Sequence, residues 1–206
     1  MQVKYVVLSN YACLLRSLLG DENFIFTSNK CDLRDYANND FVLITVITGD
    51  IIPKSVYSKY RLALNIHPAS PNYPGRDPHH HAAYFRASTF GATLHIMEDK
   101  VDSGRILLSH EFSTLEYKGW RDYYQLSMIS CVDIMRKIEC MSFEQILNLS
   151  SKSQWAYRKF TRSDFIKMCD CTNLTSSEIE HIHNCFSVAG FINLYKVING
   201  KKVYIK

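Results

Sequence analysis

The run FVLITVI from Phe41 to Ile47 has no polar alternation and only Thr45 as a hydrophilic member. A strand of this kind must be covered on both faces, which an open parallel sheet flanked by helices provides. It is far too short to cross a bilayer. The neighbouring segments supply the other parts of such a sheet. VKYVVL from Val3 reads as a strand leading through a turn into a helix carrying Leu14, Leu15, Leu18 and Leu19, and Phe24 to Thr27 reads as a second short strand. Pro53 can start a short helix through Val56 and Tyr57, and Leu62 to Ile66 forms the next strand. The expected class is α/β with an open, mostly parallel sheet.

The loop from Pro68 to Pro78 is rich in proline, and in such a sheet a loop beyond a strand's carboxyl end is where a site is expected. His79 to Ala87 reads as a helix with a partly exposed start. GATLHIM from Gly91 and RILLSHEF from Arg105 are close enough to form an antiparallel or bulged pair. Tyr124, Met128, Cys131, Val132 and Met135 give a helix over 122–136, and Ser142 with Gln145 offers a capping box for a helix at 143–149. The Ser-rich stretch at 149–153 divides a main domain, 1–150, from a short C-terminal subdomain, 151–206. The latter is expected to hold one helix at 176–186 and a terminal hairpin turning at Asn199-Gly200.

With 206 residues, 47% hydrophobic and 21% charged, there is ample core material and too little charge for a disordered chain. The net charge of +4 is scattered apart from Lys201, Lys202 and Lys206; it makes no case for a nucleic-acid partner and is compatible with a phosphorylated small molecule. Seven cysteines without zinc-finger spacing or a preceding secretory signal are read as reduced thiols of a cytoplasmic protein without a membrane partner. No metal site is expected, either from His79, His80 and His81 or from Cys169, Cys171, His181, His183 and Cys185.

Asn65, His67 and Asp102 are the candidate catalytic residues. The first two lie two apart at a strand end, so they share one side of the sheet, and Asp102 sits in a tight loop ending at Gly104. A histidine oriented by a carboxylate can take a proton at neutral pH, and an asparagine amide can donate to an oxyanion, which together suit attack of an amine on a carbonyl. The alternative is that Asn65 and His67 cap a strand while Asp102 makes an Asx-turn into Gly104. After the first strand SNYACLL replaces the glycine fingerprint of a dinucleotide site.

LNIHPASPNYPGRDP, followed at the matching distance by FGATLHIMEDKVDSGRILL, resembles the catalytic domain of the 10-formyltetrahydrofolate-dependent formyltransferases. The resemblance implies a Rossmann-like sheet, 10-formyltetrahydrofolate as donor, and a triad of Asn65, His67 and Asp102. In that chemistry an amine attacks the formyl carbon to form a tetrahedral intermediate; His67 relays protons, Asn65 donates to the oxyanion and Asp102 orients His67. It also implies a folate pocket from Val46, Ile47 and Thr48 on one side and Glu98, Asp99 and Val101 on the other. His95 matches a histidine near that site, with a structural role equally open.

The C-terminal stretch from YRKFTRSDF onward is similar to that of sugar nucleotide N-formyltransferases, and a large tRNA-gripping domain like that of longer relatives is not expected. The implied acceptor is a nucleotide-linked amino sugar, with a dTDP-4-amino-4,6-dideoxyhexose preferred. Tyr73, Gly75, Arg76, Tyr84 and Arg105 are candidates to bind it, Arg76 through a phosphate or by steadying its loop through Asp77. The alternatives are another small amine such as glycinamide ribonucleotide, hydrolysis of the formylated folate, and a non-catalytic binding relative. Pairing into a homodimer through the C-terminal region is a further expectation.

Overall fold

The computed structural model describes residues 3–116 and 119–205; Lys206, the end of the basic terminal cluster, lies outside them. Strands β1 (Lys4–Leu8), β2 (Phe24–Thr27), β3 (Phe41–Val46) and β4 (Leu62–His67) run parallel, while β5 (Thr89–Ile96) and β6 (Ile106–Ser113) run antiparallel. They form one six-stranded sheet in the order β2-β1-β3-β4-β5-β6, so the expected α/β class with a mostly parallel sheet is the observed one.

The unalternating strand β3 lies inside the sheet, as its composition requires. Val42, Ile44 and Val46 face one core with Leu64, Ile66 and Leu94. This core is closed by α1 (Ala12–Leu19) and by Cys131, Ile134, Met135 and Ile138 from α4 (Trp120–Glu139). The Tyr5 hydroxyl, buried between them, donates to the Ile138 carbonyl at 2.8 Å. Leu43 on the opposite face joins Val6, Leu8 and Ala63 under the 3-10 turn Lys30–Arg34 and α2 (Lys54–Tyr57). A residue that alternated with polar neighbours would leave one of these two cores incomplete.

Beyond α3 (Pro78–Tyr84) and α5 (Phe143–Leu147), the C-terminal part forms α6 (Arg162–Met168), α7 (Ser176–Phe186) and a hairpin of β7 (Tyr195–Ile198) and β8 (Lys201–Tyr204). The hairpin turns with Asn199 and Gly200 both at positive φ, the backbone that a type I′ turn demands. Phe165, Ile182, Phe186, Leu194 and Tyr195 pack in one cluster with Ala69, Ala82, Ala83, Phe90 and Tyr123. Residues after 150 thus share a core with α3, β5 and α4.

Three local expectations are corrected. The helix α3 stops at Tyr84 instead of Ala87, because Arg86 adopts a left-handed φ of 50°. The helix α6 was not expected; Thr161 accepts from the Asp164 N–H and Asp164 from the Thr161 N–H, so a capping box starts this short element. The start of α3 is not a loosely exposed one, since His80 and His81 are buried. His80 donates its Nδ1–H to the Cys185 carbonyl at 2.6 Å, since a carbonyl can only accept. His81 stacks on Phe160 with ring centroids 4.2 Å apart.

No helix among the described residues is long and apolar enough to cross a membrane, and no group of three or more His, Cys, Asp or Glu is placed to hold a metal ion. All seven cysteines are free thiols.

Burial lowers the proton affinity of His79, His80 and His81, that of His81 to about 4 against an ordinary 6.5. Asp77 opposes this at His80 and His81, while Arg162 beside His80 and Arg158 beside His81 reinforce it. The unfolded chain binds more protons than the folded one between about pH 6.5 and about 4, so this contribution to stability falls as pH is lowered through that window. Thermal unfolding followed by circular dichroism should show the melting temperature dropping by roughly 5 °C or more from pH 7 to pH 5, with a shallower slope in His81→Leu. A flat profile would contradict the buried neutral state.

Candidate functional site

Side chains at alternate positions share a face of a strand, so Ala63, Asn65 and His67 line one face of β4. The register sets Thr45 of β3 on one side of Asn65 and His95 of β5 on the other. Along this face the strands begin apolar, with Leu43 and Ala63 in the core, and end polar, with Thr45, Asn65 and His67. The change of polarity confines the functional side chains to the carboxyl ends of the parallel strands, the place where an open α/β sheet accommodates ligands.

Asn65 is oriented from both neighbours. The Thr45 hydroxyl donates to Asn65 Oδ1 at 2.7 Å. His95 Nδ1 lies 2.9 Å from the Ile96 carbonyl and must carry a hydrogen, which leaves Nε2 to accept from Asn65 Nδ2 at 2.9 Å. His67 is fixed by the same logic. Its Nε2–H donates to the Tyr73 carbonyl at 2.9 Å, so in the neutral ring the lone pair is on Nδ1, which faces Asp102 Oδ2 at 3.5 Å. Asp102 Oδ1 lies 3.6 Å from His95 Nε2, and Oδ2 also accepts the Gly75 N–H at 2.8 Å.

Burial pushes the Asp102 carboxyl up, but His67 and His95 in their protonated forms, together with the Gly75 N–H, outweigh it and bring the group down to about 2. Burial pushes His67 in the direction of neutrality, opposed by Asp102 and the Tyr73 carbonyl and reinforced by Lys159. At neutral pH the pair is an ionised carboxylate beside a neutral imidazole. Such a ring can take a proton at Nδ1, and the carboxylate stabilises the imidazolium that results.

Two loops shape the mouth. Val46 is buried in the core, while Ile47 and Thr48 are half-buried at the end of β3. Ile47 has a φ of 49°, a left-handed conformation that is strained for a β-branched residue by about 1–3 kcal/mol. After β5, Glu98 and Asp99 are exposed, as is Val101. Asp99 is occupied by the Lys54 ammonium at 3.1 Å and the Tyr57 hydroxyl at 2.8 Å. The loop returns to β6 through Gly104, where a Cβ would stand 1.8 Å from the Ile96 carbonyl oxygen. Because β3 and β5 are the two neighbours of β4, these loops flank Asn65. The half-buried Ile47 side chain, the Thr48 hydroxyl and the Glu98 carboxylate on these loops are of the chemical types that a flat ring rich in donors and acceptors, such as a pterin, requires.

Of the residues considered for an acceptor, Gly75 reaches Asp102 directly, and Tyr73 reaches His67 through its carbonyl. The Tyr73 ring packs against Phe90 and Phe160, and Arg76 is exposed beside Asp77. Tyr84 and Arg105 are engaged elsewhere. The Tyr84 ring lies against Phe186 and His181, and the Arg105 guanidinium donates to the Leu147 and Leu149 carbonyls at the end of α5.

Sequence reasoning missed Trp155, whose ring lies against His67 and His95 at centroid distances of 5.8 and 5.0 Å. Its only signal was a lone large apolar side chain in a polar stretch. A surface cleft of about 390 Å³ is lined by Arg86, Thr114, Glu180, His181 and Asn184 and contains none of the triad. The titratable cluster, rather than cavity size, marks the site.

A family model described as formyl transferase matches residues 27–126, a span that includes Asn65, His67 and Asp102. A search of curated protein sequences found no match. Among solved structures, a 4-N formyltransferase from Francisella tularensis is similar at 18% identity and a TM-score of 0.71, covering 99% of this chain and 96% of that one. An N-formyltransferase from Helicobacter canadensis, in complex with folinic acid and dTDP-3-aminofucose, is similar at 16% identity and a TM-score of 0.67, covering 98% and 86%. HypX from Aquifex aeolicus, in complex with tetrahydrofolic acid, is similar at 15% identity and a TM-score of 0.70, covering 98% of this chain but 37% of its own. At these identities the likeness is one of fold.

The His67–Asp102 contact makes a prediction independent of any substrate. In Asp102→Asn the group that favours the charged imidazole is gone, so the His67 titration followed by NMR should move further down. An unchanged or raised midpoint would mean that the two groups are not coupled.

Proposed function

We propose that the chain is an N-formyltransferase that moves a formyl group from 10-formyltetrahydrofolate to the primary amine of a nucleotide-linked amino sugar, with a dTDP-4-amino-4,6-dideoxyhexose as acceptor. The observation that carries this reading is the meeting, at the carboxyl end of β4, of an oriented amide, a neutral histidine and an ionised carboxylate. The formyl transferase match across the same residues supports it. The near full-length overlap with a 4-N formyltransferase supports an amine at a 4 position, and the likeness to an N-formyltransferase in complex with dTDP-3-aminofucose supports a nucleotide-linked sugar.

The folate, when bound, supplies a formyl carbon activated by its bond to N10. Ile47, Thr48, Glu98 and Val101 would hold the pterin between the two loops, with Val46 serving only through its backbone. Asn65 Nδ2 would donate to the oxygen that gains charge, its amide already held by Thr45. His67 would take the amine's proton at Nδ1, and Asp102 would stabilise the cation so formed. Arg76, exposed beside Asp77 at the edge of the 68–78 loop, would meet a phosphate of the acceptor.

Incubation of the protein with 10-formyltetrahydrofolate and dTDP-linked 4-amino or 3-amino sugars, read by mass spectrometry, should give a gain of one formyl group, faster for the 4-amino isomer. Asn65→Ala and Asp102→Ala should each lower turnover by roughly tenfold to a thousandfold. Activity within a factor of two of wild type in either variant would sink the assigned roles, and no formyl gain with any amine would sink the reaction.

A further inference from the structure

The segment linking α5 to α6, LSSKSQWAYRKF, has no helical or strand period, yet it is tied to the 68–78 loop and to the loop after β5. The Ser151 N–H donates to the Ile106 carbonyl at 3.4 Å, the Ala156 N–H to the Pro71 carbonyl at 3.0 Å, and the Phe160 N–H to the Pro74 carbonyl at 2.9 Å. The Lys159 ammonium donates to the Val101 carbonyl. Between these ties the Trp155 indole N–H donates to the Gly104 carbonyl at 2.8 Å, and its ring stands at 89° to His95 and 67° to His67.

Beneath this strap the side chains of His67 and Asp102 are 6% and 3% exposed and that of His95 is 3% exposed. Asn65 is half-buried. The outward side of the strap has little packing of its own, with Tyr157 fully exposed and Arg158 and Lys159 exposed. An amine must come within about 3–3.5 Å of the carbon it attacks, and its proton must pass to the histidine within hydrogen-bond reach. The indole packs against both histidines and, among the described residues, is held by its hydrogen bond to the Gly104 carbonyl and these ring contacts.

We propose that Trp155 is a positioning residue that acts as a removable cap: it seals the His67–Asp102 pair from water and gives way to the amine acceptor. The proposal rests on the formyl-transfer reading of the site. Water admitted to the loaded site would add its oxygen to the formyl carbon and break the bond to N10. One of its protons would pass through His67 to N10, and the other would leave with formate. Exclusion of water directs the formyl group to an amine.

Acylation by diethyl pyrocarbonate, mapped by mass spectrometry, tests the cap without any substrate. His67 and His95 should react slowly in the wild type and at least tenfold faster in Trp155→Ala. Trp155→Phe should restore most of the protection, and Tyr157→Ala on the same strap should leave it intact. Unchanged protection of buried His80 in every variant reports that the chain is folded. Equal reactivity of His67 in wild type and a folded Trp155→Ala overturns the cap. With 10-formyltetrahydrofolate and no acceptor, Trp155→Ala should release formate at least tenfold faster than wild type; an unchanged rate in an enzyme that does transfer formyl overturns the water-excluding role. Faster acylation of His67 together with neither transfer nor formate release in the wild type supports the cap and overturns the formyl-transfer reading instead.

Discussion

Burying an ionised carboxylate is tolerated only where charges and hydrogen bonds replace the water it loses, and the whole site is built around that requirement at Asp102. Its Oδ2 accepts the Gly75 N–H of the 68–78 loop, and its two oxygens lie 3.5 and 3.6 Å from His67 on β4 and His95 on β5, whose protonated forms they stabilise. Three segments distant in sequence are thereby held at one point. Asp102 itself takes a left-handed φ of 47°, and two residues later only a glycine allows the chain to pass the Ile96 carbonyl. The shape of the loop after β5 is thus set by what the carboxylate must reach.

The same point anchors the C-terminal part. Gly75 has a φ of +102°, and a Cβ there would lie 2.4 Å from the Phe160 carbonyl oxygen, so its lack of a side chain lets the 68–78 loop and the strap run side by side. Phe160 in turn stacks on His81 of α3 and on Tyr73. The buried histidines of α3 meet Phe165 and Phe186 from α6 and α7. A continuous path of packing leads from the carboxylate to the aromatic core of the C-terminal segment. Residues 151–205 consequently read as a wall of the site as much as a subdomain.

Much of this frame was legible because its signals are local. Two-sided burial was written in FVLITVI, the I′ turn in Asn199-Gly200, and the start of α5 in Ser142 and Gln145. Asn65, His67 and Asp102 were legible as a strand-end pair and an aspartate before glycine. Thr45 was visible as an interruption of the apolar run, and its purpose appears only with the register that sets its hydroxyl against Asn65. Trp155 was not legible, because nothing within a polar linker tells which distant ring it will cover. The burial of His80 and His81 was missed for the same reason: three adjacent polar residues look exposed until α6 and α7 are folded over them.

The strap also couples access to electrostatics. Lys159 lies on it, ties its ammonium to the Val101 carbonyl, and is among the charges that hold His67 neutral. Burial is the largest influence on His67, and the Trp155 ring, four residues before Lys159, is one of the groups packed against it. Lifting the strap therefore removes a positive charge and a desolvating ring together, and both changes favour the protonated imidazole. Asp102 remains bonded to Gly75 and continues to favour it. In the proposed cap, the motion that admits an amine would therefore also raise the affinity of His67 for a proton, so that opening the site and activating its base would be a single event.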